Sequence, residues 1–530
     1  MLAMIHPKCP AVRMTALLAV LTFISGPQAL AGAAFDAAEA NNRFAWAALS
    51  ALQSENPGED LVFSPYSIHL AMGMAYAGAR GETAAEMEAV LGYGGHEATH
   101  PGIAALAAAV LAAVEDDRAE VGIANRVWAD AQWPLEQTYI ERLAAHYGSG
   151  VERGDFRSEA GREFLRGVIN EWVEGETFER IPELIPEEGF TDLTRWVLVN
   201  ALAFRAPFEQ PFHPEVTTAG SFHVSPGETM EVRMMSQDGA FPYGSNEWAE
   251  VVALPLAGGS FSFVVLLPRE GRTPTDVVTA MDGGKFALDD ELFGRSWPHG
   301  TRILLSLPRF QVKWDEELKS LFETLGMAAA FDPMLSDFSG MAPVADNYIH
   351  RVDHSAFLQC VEGGIEAAAA TAVIGGPTSL PPVVTFDRPF VFALREDTSG
   401  TILFAGQVVR PENPPDKAPD WRERVERALG GPLKPVGDGP WHDSAFGRIE
   451  PTRYPWVRHE ALGWGQLAGR DGRLWFWHAG GLGWMWTDLD GAYPVFHIHG
   501  REDPWVYLDK AAPGGPALWD FVGGRHIPFK

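Results

Sequence analysis

The sequence predicts an α+β body, with mixed central β-sheets and surrounding helices, followed by a small β-rich C-terminal domain. Apolar runs of strand length and capped helical segments alternate in no βαβα order, which favours segregated sheets and helices over a doubly wound fold. A proline-rich break, PENPPDKAPD, follows Arg410. Beyond it the composition changes, since ten of the eighteen tryptophans lie after residue 420.

The N-terminus reads as an export signal. Lys8 and Arg13 precede an apolar stretch from Met14 to Ile24, and Ala29-Leu30-Ala31 is a small-x-small cleavage site. Residues 1–31 are therefore expected to be a signal peptide, and the mature protein an exported, soluble monomer, extracellular or periplasmic, with no transmembrane segment. Cleavage removes Cys9 and leaves Cys360 alone, so no intramolecular disulfide forms. With 46% hydrophobic residues, stability comes from the core. A net charge of -29 excludes nucleic acid and polyanions as partners, because an acidic surface gains nothing from counterion release.

Within the body (32–410), Ser64-Pro65 places a capping hydroxyl before a proline at the first helical position, and Ile68, Met72, Ala75 and Tyr76 recur at helical spacing. Thr83-Ala84-Ala85-Glu86 reads as a capping box of a helix ended by Gly92. Trp196–Phe204, Phe261–Leu267 and Ile303–Phe310 are apolar enough to be central strands. Asp315 is expected to cap a helix carrying Leu318, Leu321, Phe322 and Leu325 on one face before Gly326. Val383–Phe386, Phe390–Leu394 and Thr401–Val409 read as closing strands.

Between these lies the most informative segment, EGGIEAAAATAVIGGPTSLPP (362–382). On propensity alone Glu366–Val373 would be a short surface helix. The flanking blocks argue otherwise. FDRPFVFALREDTSGTILFAGQVVRPE (386–412) resembles the C-terminal signature of the serpins, a family of conformationally trapping protease inhibitors. FSPYSIHLAMGMAYAGARGETAAEM (63–87), INEWVEGETFERIPELIP (169–186), VNALAFRAPFEQPF (199–212) and LPRFQVKWDEELKSLFETLGM (307–327) follow in family order. The resemblance covers about residues 36–411 and implies a serpin fold in which 362–382 is the exposed reactive-centre loop. It further implies a suicide substrate: a serine protease attacks the loop, and the cleaved loop inserts into the central sheet before the acyl-enzyme is hydrolysed. Some serpins bind glycosaminoglycans through a basic helix, but the corresponding region, Ile103–Glu120, offers only Arg118.

By the family's loop spacing the reactive bond joins Thr378 to Ser379, flanked by Pro377, Leu380, Pro381 and Pro382. The hinge runs over Glu362, Gly363, Gly364, Ile365, Glu366, Ala367, Ala368, Ala369, Ala370 and Thr371. As an inserted strand it would turn Ile365, Ala367, Ala369, Thr371 and Val373 inward and Glu366, Ala368, Ala370 and Ala372 outward. No proline interrupts 363–376, so each N–H there can join a ladder. Thr378, small and β-branched, suits a shallow primary pocket, which favours elastase-like or subtilisin-like targets over trypsin-like ones. Gly363, Ile365 and Phe208 depart from the family pattern, where an acid or polar residue, Thr or Ser, and Trp are usual. Ile365 in particular could slow insertion and leave a non-inhibitory binding protein.

No nucleophile–base constellation, phosphate loop or zinc motif stands out, so no catalytic residues, metal or cofactor are expected. Cys360 reads as a buried small hydrophobe, and His354 as a structural histidine just before the strand that leads into the loop. His497-Ile498-His499 lacks a third ligand at diagnostic spacing. After the linker (411–420), Trp421–Leu429 reads as a short helix, and 421–530 as a module of hairpins in which Trp475, Trp477, Trp484 and Trp486 are spaced in twos. Tyr454-Pro455-Trp456 and Tyr493-Pro494-Val495 hint at a repeat. The simplest expectation is that these aromatics make the module's core. The alternative is an aromatic surface for a glycan or protein ligand.

Overall fold

A computed structural model describes residues 27–414 apart from 117–118, 149, 294–299 and 366–380, together with the strands and adjoining residues between 429 and 528. The chain divides into two compact units, Met1–Pro414 and Pro415–Lys530.

The helices of the first unit are α1 (Pro27–Glu55), α2 (Pro65–Tyr76), α3 (Gly81–Leu91), α4 (His96–Asp116), α5 (Gln137–His146), α6 (Glu159–Glu176), α7 (Pro274–Asp282), α8 (Asp290–Phe293) and α9 (Lys319–Leu325). Its strands begin with β1 (Leu61–Phe63), β2 (Glu120–Asp130), β3 (Val151–Gly154), β4 (Trp196–Pro207), β5 (Thr218–Ser225), β6 (Glu228–Phe241), β7 (Tyr243–Ser245) and β8 (Ala249–Pro255). They continue with β9 (Phe261–Pro268), β10 (Thr301–Pro308), β11 (Phe310–Glu317), β12 (Val352–Val361), β13 (Gly364–Ile365), β14 (Val383–Thr385), β15 (Phe390–Glu396) and β16 (Ile402–Val408).

These strands form three sheets. The central one has the order β11-β12-β13-β4-β2-β3; the others are β1-β16-β15-β9-β8-β7 and β14-β10-β6-β5. The arrangement is the α+β architecture with mixed sheets that the sequence predicts. Strand β4 is buried along almost its whole length because both faces are covered, which explains its unbroken apolar run. Beneath the central sheet lies α2, every residue of which is buried. The Ser64 hydroxyl accepts from the Ser67 N–H at 3.0 Å and Pro65 opens the helix, as the Ser-Pro pair predicts.

Tertiary contacts override other local readings. Thr83 lies inside α3, which starts at Gly81, and its hydroxyl accepts from the Asp337 N–H at 2.9 Å; Glu86 accepts from the Ala329 N–H at 2.7 Å. The capping box is therefore replaced by two ties to a distant loop, although Gly92 does close the helix in the left-handed region. Asp315 is a residue of β11, ion-paired with Lys313 at 2.6 Å and bonded to Ser355, and caps nothing. The run Ile303–Phe310 divides at Arg309, whose N–H donates to the Arg233 carbonyl at 2.8 Å. His354 lies within β12 rather than before it. His96–Val114 is long and apolar enough to cross a membrane on composition alone, which the sequence reading passed over; its Ile103, Leu106 and Val110 pack in the main core.

In the second unit eleven strands form one antiparallel meander. They are β17 (Lys434–Pro435), β18 (His442–Ser444), β19 (Gly447–Arg453), β20 (Trp456–His459), β21 (Gly463–Arg470), β22 (Arg473–His478), β23 (Gly483–Thr487), β24 (Val495–Ile498), β25 (Trp505–Asp509), β26 (Ala517–Asp520) and β27 (Arg525–Pro528). The buried cluster described here contains Phe446, Ile449, Leu474, Phe476, Met485, Val506, Leu508 and Leu518. Trp475 pairs with Trp486 and Trp477 with Trp484, at register positions alternate to Leu474, Phe476 and Met485. Among the described residues that core is aliphatic and Phe-rich. Trp421–Ala428 lies outside the described residues.

Candidate functional site at the insertion point of the central sheet

Two features of β4 and β12 define the site. Low in the sheet they pair directly and in parallel, Val352 to Ala356 against Leu198 to Leu202. Higher up they part, and the two residues of β13 fill the gap, antiparallel to both. Ile365 faces Cys360 on one side and Ala206 on the other, and Gly364 faces Val361 and Pro207. The sheet therefore holds the first rung of an additional strand while its lower seam is closed.

The turn into β13 is anchored residue by residue. The Phe208 N–H donates to the Gly363 carbonyl and the Phe212 N–H to the Glu362 carbonyl, each at 2.9 Å. The Phe208 and Phe212 rings, both buried, meet edge to face beneath the turn. The buried Glu362 carboxylate accepts from the Thr217 hydroxyl at 2.9 Å and lies 3.5 Å from Arg309 Nε. Gly364 has φ +148°, and a Cβ there would stand 2.3 Å from the Ala206 carbonyl oxygen, so the position requires glycine. Ile365 is only 1% exposed, in the inward phase expected of it. Residues 366–380, which include the rest of the hinge from Glu366 to Thr371 and Pro377, Thr378, Ser379 and Leu380, lie outside the described residues. The chain is described again at Pro381; the Pro382 carbonyl accepts from the Leu304 N–H at 2.8 Å, and β14 runs parallel to β10.

Below the gap, a polar network bridges the closed seam. His354 on β12 and Asn200 on β4 are register partners, and Asn200 is in turn the partner of Asn125 on β2. His354 Nε2 accepts from the Ser64 N–H at 3.1 Å, which leaves the proton on Nδ1 to donate to Asn200 Oδ1 at 2.7 Å. Asn200 Nδ2 donates to Ser67 Oγ at 2.7 Å and Asn125 Oδ1 at 3.0 Å. Burial holds the His354 pKa down at about 3, so this imidazole is neutral. The sequence supplied His354 as a hydrogen-bonded histidine but not its partners. Asn125, Asn200 and Ser67 belong to different elements, and only the strand order brings them together.

Cys360 is fully buried, and burial pushes its thiol well above the usual range, which suits an inert packing residue. Among the described residues no group of three or more His, Cys, Asp or Glu side chains is placed to hold a metal ion. His497 sits on β24 opposite Trp486 and Trp505, and His499 lies outside the described residues.

Comparison with known proteins places this geometry. Residues 39–411 match the family model described as serpin (serine protease inhibitor). The leukocyte elastase inhibitor of Homo sapiens is 32% identical over 387 residues, 70% of this chain and 98% of that protein. An uncharacterized serpin-like protein of Thermococcus kodakarensis is 32% identical over 363 residues, 67% of this chain and 81% of that one. Among solved structures, a highly specific serpin of the insect Tenebrio molitor matches with a TM-score of 0.59 at 27% identity, covering 71% of this chain and 98% of its own. Uncleaved ovalbumin matches in fold with a TM-score of 0.60 at 24% identity, covering 71% of this chain and 99% of its own. A two-residue strand poised over a closed seam, carried on this three-sheet body and matched from residue 39 to 411, leads to one conclusion: the chain belongs to the serpin family.

Proposed function

We propose that the chain is an exported inhibitor of serine proteases that acts as a suicide substrate, cleaved between Thr378 and Ser379 and trapping the enzyme as its loop enters the central sheet. The observation that carries this reading is the pairing of Gly364–Ile365 between β12 and β4 above a seam that is still closed. A strand that has begun needs only to continue. Ladder bonds worth about 0.5–1.5 kcal/mol each, over roughly a dozen residues, amount to a gain on the order of 10 kcal/mol, comparable with the stability of a whole domain. The run of alanines after Glu366 has no proline to block that ladder. Ile365 is already accommodated in its slot, so its bulk is no obstacle at the first step, which favours inhibition over a merely cleavable loop. The similarity to leukocyte elastase inhibitors agrees with an elastase-like target for Thr378.

Hydrolysis of an acyl-enzyme depends on the triad and oxyanion hole being in register. Dragging the enzyme as the loop enters would break that register and leave the ester intact. The test is to mix the mature protein with elastase-, chymotrypsin-, trypsin- and subtilisin-like proteases and look for a denaturant-stable complex by gel and intact mass. A released fragment beginning at Ser379 supports the reading; clean loop cleavage with no complex across the panel overturns it.

A second role, for residues 421–530, rests on the strand register of the meander. Trp475, Trp477, Trp484 and Trp486 fall on the phase opposite the buried core, Trp505 follows beyond His497, and Tyr507 is 40% exposed. Aromatic rings presented at those register positions beside Tyr507 would suit stacking on sugar rings and would anchor the inhibitor to a surface glycan. Deleting 421–530 should abolish retention on insoluble cell-wall glycan; unchanged retention would remove the role.

A further inference from the structure

The segment that leaves the first unit is docked beside the loop hinge. The Val409 and Arg410 N–H groups both donate to Asp60 Oδ1, at 2.5 and 2.8 Å, and Arg410 pairs with Glu228 at 2.6 Å. Pro411 and Pro414 are buried while Glu412 and Asn413 between them are exposed. The Glu412 carbonyl accepts from the Gln311 N–H at 2.9 Å, adding a single antiparallel bridge to the outer edge of β11, the border strand of the central sheet. Two residues earlier in β11's approach stands the buried Arg309. Its Nη2 donates to the Pro414 carbonyl at 3.5 Å, while its Nε lies 3.5 Å from the hinge carboxylate of Glu362. One guanidinium thus faces both the chain's exit and the loop's point of entry.

We propose that residues 411–414 are a strap that positions the hinge through Arg309, so that displacement of the chain at Pro414 is felt at Glu362–Ile365. Guanidinium geometry makes this coupling possible, because a planar fork can address two acceptors in fixed directions whereas a lysine ammonium would be a point charge at one of them. Arg309 is in this sense a positioning residue. The strap lies at the N-terminal side of everything beyond residue 414. Whatever the protein traps, the coupling exists in the uncleaved molecule.

The experiment is hydrogen exchange on the full mature chain, read at three amides. Gln311 reports the strap, and Phe208 and Phe212 report the hinge turn, since they donate to Gly363 and Glu362. In the double variant Pro411→Gly and Pro414→Gly, exchange at Gln311 is expected to rise and exchange at Phe208 and Phe212 to follow by about tenfold. Arg309→Lys, which keeps a cation for Glu362 but gives up the second acceptor, should accelerate the hinge amides on its own, and adding the proline changes to it should accelerate them no further. Protection at Gln311 that survives loss of both prolines would overturn the strap. A freed Gln311 with unchanged Phe208 and Phe212, or additive effects of the two variants, would overturn the coupling. Because no protease is used, these outcomes are independent of whether the protein inhibits one.

Discussion

At Gly364 the site is decided by a missing atom. Its φ of +148° and the 2.3 Å approach that a Cβ would make to the Ala206 carbonyl mean that β13 can join the sheet there only as glycine. Gly364→Ala should therefore destabilise the native state by about 2 kcal/mol or more, visible as a lower urea midpoint with an unchanged slope. His354 gives a second prediction. Its ordinary value is 6.5 and burial holds it at about 3, so between those values the unfolded chain binds a proton that the folded protein does not. Its contribution is present in full above pH 6.5 and declines as the pH falls toward 3, by about 1.4 kcal/mol per pH unit for each such group. His69 and His100 are held at about 3 by the same cause. Denaturation midpoints measured from pH 7 to 4 should fall in the native protein, and His354→Gln should flatten that slope by about one proton. Single residues were legible in the sequence where local chemistry fixes them, as at Ser64 and Gly92. They were not legible where a partner comes from far along the chain, as for Thr83 with Asp337 or His354 with Asn200.

Between residues and molecule stands the element that β13 forms with β12 and β4 on either side of it. Sequence pattern supplied the β12 approach, the alanine run and the inward phase of Ile365, because a period of two and the absence of proline are local properties. It could not supply the parallel closure of β4 on β12, which depends on a sheet order that chain order does not reveal. Asp315 illustrates the same limit: an acid before an apolar helical run is a good cap by propensity, yet strand pairing with β12 claims it. Extending β13 by one rung after Glu366 requires an N–H at Ala367. Ala367→Pro removes that donor, and the variant should be cleaved by its target without forming a covalent complex. Inhibition that persists in this variant would show that loop entry beyond Ile365 is not needed.

For the whole molecule, charge separates the two units. Residues 421–530 contain thirteen acidic and thirteen basic residues, so the net charge of -29 belongs entirely to the chain before them. The family resemblance made the body legible as a whole, whereas in the tail the spacing of the tryptophans in twos did not show that Trp475 pairs with Trp486 and Trp477 with Trp484. Strand β15 lies in the interior of its sheet, hydrogen-bonded to β9 on one edge and β16 on the other. From Pro381 to Pro414 the chain is stitched to the body by β14 on β10, β15 on β9, β16 on β1 and the Glu412 bridge to Gln311. A cut between Thr378 and Ser379 would consequently turn one polypeptide into two that remain a single particle in native buffer, with the captured enzyme on the first and the entire tryptophan-rich module on the second. Denaturant would part them: the covalent adduct should run without the module, while gel filtration of the same sample should recover adduct and module together. The molecule's anchor and its cargo would share a particle without sharing a chain.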